Sequence, residues 1–236
     1  MAIWQKLVQI VESGVGALGA VFEWAGSFIG DPEMRRQVAF SAAMIALSAK
    51  MAKADGIVTH DEVATFKRLF VMQAGEELHV ARLFDLAKQD IAGFEYYARR
   101  VADFYADDRQ GLEDVLEGLF VIATADGAVH RDEFSYLDRV GVIFGIEGLE
   151  FERMAARHVV PEEGDPYLVL GVDRSMTLAE IRRRYRLLVA ENHPDRLMAR
   201  GVPPEFLAIA TDKLAAINGA MERIALERRA AKRVRA

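Results

Sequence analysis

An all-α fold is what this sequence predicts, and three observations predict it. Apolar residues recur at three- and four-residue steps along most of the chain, as one face of a helix requires. The 236 residues hold only 6 prolines among abundant Ala, Leu, Arg and Glu, a composition that favours helix. Candidate helix starts carry side chains able to cap free backbone N–H groups. An apolar content of 52% supports real cores, and the length allows one or two domains. The absence of cysteine excludes a disulfide framework and thiolate zinc sites and is compatible with a reducing cytoplasm.

The first segment, residues 1–31, is apolar and rich in small residues, but Glu12 and Glu23 interrupt it. A membrane span needs about twenty uninterrupted apolar residues, and a buried carboxylate costs a few kcal/mol. The segment therefore reads as an amphipathic or membrane-surface helix, or one packed on a bundle, rather than a span. Gly14-Val-Gly-Ala-Leu-Gly19 matches a nucleotide-loop pattern but has no strand before it and no βαβ unit around it, so no nucleotide site is expected.

Residues 32–158 contain a repeat. Ala52-Lys-Ala-Asp-Gly-Ile-Val-Thr-His-Asp-Glu62 recurs 71 residues later as Ala123-Thr-Ala-Asp-Gly-Ala-Val-His-Arg-Asp-Glu133. Apolar helical runs precede each copy (Phe40–Met51, Val115–Ile122) and follow it (Val63–Phe70, Phe134–Phe144), and further helical patterns lie near Glu76–Ala87 and Phe94–Tyr105. The reading is a helix-turn-helix corner used twice within a bundle of about six or seven helices. Gly56 and Gly127 end the first helix of each corner, and Val58 and Val129 pin the connection to the core. Asp61, Glu62, Asp132 and Glu133 supply negative charge to the next helix start. The paired Asp-Gly-x-Val-x-x-x-Glu resembles the TerB family, named for tellurite resistance. That resemblance implies a metal alternative, in which Asp55, Glu62, Asp126 and Glu133 meet in space as one carboxylate site for a divalent cation. Capping is the favoured reading, because Met51, Lys53, Ile122 and Thr124 stand where a calcium loop needs oxygen ligands. His60 and His130 are out of register between the copies and are not matched ligands.

Beyond a linker at 159–164, residues 165–236 form a second unit. Asp165-Pro166 is a helix start and Gly171 stops that helix within about two turns. Thr177-Leu-Ala-Glu180 has capping-box spacing and opens a second helix with Ile181, Tyr185, Leu188 and Val189 on one face. Arg182, Arg183 and Arg186 fall on other faces. Pro194 cannot continue the helix, so the chain turns at His193-Pro194-Asp195. A third helix from about Pro204 to Arg228 returns antiparallel, with Phe206, Leu207, Ile209, Ala210, Leu214, Ile217, Ala220, Met221 and Ile224 as its apolar face and Leu170 and Val172 closing one end. The triplet is expected at the tip, in water, with no core to satisfy.

This layout, from Asp165-Pro-Tyr-Leu-Val-Leu-Gly-Val172 to Ile217-Asn-Gly-Ala-Met-Glu-Arg-Ile224, resembles a J domain, by which co-chaperones stimulate the ATPase of DnaK-type chaperones. The resemblance implies a binding role for Asp195, Arg182, Arg183 and Arg186, with His193 and Pro194 shaping the loop. It implies no catalytic residue and no cofactor, since any ATP belongs to the partner. A TerB-like module followed by a J domain is the arrangement of DjlA-like co-chaperones. In that family a membrane helix comes first, and the N-terminal segment departs from it at Glu12 and Glu23.

Charge agrees with the division. Residues 165–236 hold 14 Lys/Arg against 9 Asp/Glu, a balance of +5, and the total of −6 leaves −11 on residues 1–164. A basic face speeds encounter with an acidic partner, whereas the acidic body argues against nucleic-acid binding. The expected protein is a cytoplasmic co-chaperone, with peripheral contact to the inner membrane left open through residues 1–30 and an unnamed client or target for the TerB-like domain. The rival readings are a metal- or stress-sensing protein with a merely structural hairpin, and a membrane scaffold. A hydrolase ranks last, because no Ser or Cys nucleophile sits beside a base.

Overall fold

Helix α1 (Pro32–Ala54) is buried on every side from Val38 to Lys50, as a helix apolar all round must be. The structure is a computed structural model that describes residues 7–8, 21, 24, 31–54, 77–89, 93–124, 129–158, 164–203 and 207–234. Around α1 pack α2 (Glu77–Gln89), α3 (Phe94–Phe104), α4 (Arg109–Ala123) and α5 (Arg131–Phe144), and α6 (Leu149–His158) packs on α4. The last of these has no counterpart among the periodic runs. Two hydroxyls inside the bundle bond to α1 backbone carbonyls: the Ser48 hydroxyl donates to the Met44 carbonyl, and the Tyr136 hydroxyl donates to the Leu47 carbonyl at 2.7 Å. Leu7, Val8 and Val21 are buried in the same core and Trp24 packs against it. At those four positions the N-terminal segment is packed on the bundle. Among the described residues, no helix is long and apolar enough to cross a membrane.

The second corner of the repeat is partly visible. Val129 packs against the core, and α5 opens with His130 as its N-cap. The Glu133 carboxylate is buried and accepts from the His130 backbone N–H at 2.9 Å, while Asp132 and Glu133 both lie in the first turn. The first corner, with Asp55, Gly56, Val58 and Glu62, lies outside the described residues, as do Asp126 and Gly127.

The C-terminal unit consists of α7 (Pro166–Leu170), α8 (Leu178–Glu191), α9 (Pro194–Ala199) and α10 (Ala208–Val234). Its local signals work as read. The Asp165 side chain accepts from the Tyr167 N–H at 3.0 Å, and Gly171 takes a left-handed φ of 63° to end α7. Thr177 and Glu180 form a reciprocal capping box at the start of α8. A small core joins Tyr167, Val169 and Leu170 of α7, Ile181 and Leu188 of α8, and Ile217, Ala220 and Ile224 of α10. Val172, Tyr185, Val189 and Met221 pack against it.

Two expectations need correction. Pro194 does not merely stop α8. It is the first residue of α9, where its missing N–H costs nothing and its fixed φ suits a helix start. And α10 is not only the return arm of a hairpin. Its 27 residues span about 40 Å against about 21 Å for the 14 of α8, so its first turns overhang. Ile209 and Ala210 there join the bundle core, along with Leu197 and Val202 from the preceding segment. The tip therefore has a core to satisfy on one side.

A buried ionic cluster fastens the overhang. Glu117, fully buried on α4, pairs with Arg157 and His158 of α6 and with Lys213 of α10, the last at 3.0 Å. Burial alone would push the Glu117 carboxyl up, but Lys213, Arg157 and His158 together reverse this and hold it well below the usual carboxylate range.

Candidate functional site

His193, Pro194 and Asp195 stand at the junction of α8 and α9. His193 is the N-cap of α9, with its backbone extended, and its Nδ1 accepts from the Asp195 backbone N–H at 3.2 Å. The proline supplies the fixed first turn. Together they define the direction of Asp195, whose side chain is 79% exposed and lies 3.5 Å from His193 Nδ1. A carboxylate in the first turn of a helix is favoured by the free N–H groups and the helix dipole. It is held out in water, not buried.

The arginines read from the sequence are on α8. Arg182 and Arg186 are one turn apart, Arg183 and Arg186 three residues apart, and all three are exposed. Among the described residues none of the three forms an ion pair. Arg186 and Asp195 border one open groove of about 590 Å³, whose other walls are Tyr185, Val189, Ala190, His193 and Arg196. The carboxylate and a guanidinium of the basic helix are thus brought to one surface. Arg182 and Arg183 lie farther along α8, outside the groove wall. The groove floor is set by packing, since the Tyr185 hydroxyl donates to Asn218 Oδ1 at 3.0 Å and ties α8 to α10.

Arg196 is the groove residue that the sequence reading missed. The signal was available: once Pro194 is taken as a helix start, Arg196 falls in the first turn beside Asp195. The four carboxylates of the metal alternative are not seen as a set. Asp55, Glu62 and Asp126 lie outside the described residues, and Glu133 is engaged as a cap. Among the described residues, no group of three or more His, Asp or Glu is placed to hold a metal ion.

Comparison with known proteins follows the same division. The family described as "Tellurite resistance protein TerB" matches residues 41–156, and the DnaJ domain matches residues 165–225. Proteins named co-chaperone protein DjlA align along most of the chain. The one from Vibrio cholerae is 30% identical over 86% of this chain and 84% of its own. The one from Vibrio vulnificus is 29% identical over 89% and 85%, and that from Coxiella burnetii 26% identical over 86% and 82%. No solved structure matches the chain. A TerB-type bundle followed by a DnaJ-type hairpin, together with 30% identity to the Vibrio cholerae protein along most of both chains, makes this chain a member of the DjlA co-chaperone family.

Proposed function

We propose that the chain is a co-chaperone that docks on a DnaK-type chaperone through α8 and α9 and stimulates its ATP hydrolysis. The observation that carries this reading is the exposed Asp195 carboxylate sharing a groove with Arg186, beside two further arginines free of ion pairs. Such a surface offers one directed acceptor and a row of cations. The cations attract an acidic partner at range, and the carboxylate gives the docked complex its register. His193 and Pro194 act through the loop shape, and Arg182, Arg183 and Arg186 through charge. The role is regulatory: nucleotide and chemistry belong to the partner, and this chain needs no cofactor of its own. The TerB-type bundle targets or regulates the activity, through a client yet to be identified.

The test is single-turnover ATP hydrolysis by a DnaK-type chaperone with and without the full chain. Wild type should accelerate the reaction, and Asp195→Asn should abolish the acceleration while leaving helicity by circular dichroism unchanged. Equal stimulation by wild type and Asp195→Asn would overturn the assignment.

A further inference from the structure

The side of the His193–Asp195 turn that faces away from the groove is built into the bundle. Arg200, the C-cap of α9, spends its guanidinium in two directions. Nε and Nη2 donate to both carboxylate oxygens of Asp114 on α4, at 2.7 and 2.9 Å, while Nη1 donates to the carbonyl of Glu191, the last residue of α8, at 3.0 Å. One side chain therefore clamps the end of α8, the end of α9 and a bundle carboxylate that is only 4% exposed. The residues on either side of the clamp agree with it. Asn192, just before the triplet, is buried and donates to the Leu188 carbonyl at 2.7 Å. Leu197 and Val202, just after it, are each 2% exposed within the bundle core. Gly201 has a φ of +89° and lies so close to α1 that a methyl group there would sit 2.3 Å from Arg36 Cβ. Both ends of the turn are anchored.

We propose that Asp114 and Arg200 are positioning residues for the docking reaction: the bundle, through this pair, holds the His193–Asp195 turn in its partner-ready shape. A turn ordered beforehand loses less conformational freedom on binding, so the clamp acts on affinity and not on the stimulated rate. The inference rests on the docking role proposed above, and its test separates the two. Arg200→Lys keeps the charge but cannot make the fork to Asp114 and reach Glu191 at once. Asp114→Asn keeps the shape and removes the charge.

In full-length protein, hydrogen exchange at the backbone amides of residues 195–200 should speed up about tenfold or more in either variant, while the amides of residues 184–188 and 217–224 hold their wild-type rates. The concentration of the chain that half-saturates stimulation of the chaperone's ATPase should rise about three- to tenfold, with the maximal stimulated rate unchanged. Should Asp114→Asn loosen the whole bundle, Arg200→Lys, on a partly exposed turn, decides the matter. Unchanged exchange at residues 195–200 in Arg200→Lys, or a fall in maximal rate with no change in half-saturation, overturns the positioning role. If wild type itself gives no stimulation, the docking role fails, and the positioning role with it, whatever the exchange shows of the clamp.

Discussion

Helices α4 and α8 use charge in opposite ways. On α8, Arg182, Arg183 and Arg186 stand in water without ion pairs among the described residues. On α4, Asp114 and Glu117 are 4% and 1% exposed at the side chain and are paired with cations from other parts of the chain. Exposed, unpaired charge is cheap to keep and available to another molecule. Buried charge is costly to desolvate and persists only when its partners are in place, so it ties elements together. The difference separates recognition from assembly in one chain: α8 faces a partner, whereas α4 holds the second unit against the first.

The largest effect that can test this contrast is the removal of Glu117. Glu117→Ala leaves Lys213 and Arg157 in the interior without their anion, and should cost about 3–5 kcal/mol of stability in urea unfolding. A loss within the range of a surface substitution, about 0.5 kcal/mol, would show that the cluster is solvated and the contrast false.

Acid sharpens the same comparison. The folded Glu117 carboxyl is held below its ordinary 4.5, so its contribution is present in full above that value and is lost as pH falls toward the folded one. Asp114 differs: burial, ahead of the pull of Arg200, raises its carboxyl above the ordinary value. Comparison with Glu117→Gln isolates the first effect. The stability gap between wild type and Glu117→Gln should be constant near neutrality and narrow as pH drops below about 4.5. A gap that widened in acid would contradict the assignment of Glu117 as the ionised hub.

The smallest effect on stability belongs to α8. Arg182→Ala combined with Arg186→Ala should shift the unfolding midpoint by no more than about 0.5 kcal/mol in free energy. The same double variant should weaken docking on the chaperone, more at low salt than at high salt. A large loss of stability would place these arginines with the buried charges of α4 instead.

Much of the architecture was legible because its signals are local. Asp165 and Pro166 start α7, Gly171 ends it, and Thr177 with Glu180 opens α8; each depends on atoms no more than a few residues apart. The same holds for the tip, where His193 bonds to the backbone two residues on. What escaped is of a different kind. Pro194 carries two meanings, a stop for one helix and a start for the next, and only the path taken by residues 195–199 selects between them. The apolar positions of α10 follow one periodicity, yet Ile209 and Ala210 enter one core and Ile217, Ala220 and Ile224 the other. Periodicity marks which face is apolar without saying what covers it. The oddity of Asp114 and Glu117 within an apolar helix was visible, but their cations lie on α6 and α10 and in the segment between α9 and α10.

By itself, then, the sequence determined most of the helices, many of their ends, the apolar faces and the outward-pointing triplet, though not α6 or α9, because caps, turns and periodicity are settled by neighbouring residues. Only the tertiary structure decided that Arg200 meets Asp114 across 86 residues and that Glu117 gathers Arg157, His158 and Lys213 from two other helices. A charge has no defined energy until its surroundings are known: the same carboxylate is a solvated ornament in water and a structural joint when desolvated beside a guanidinium.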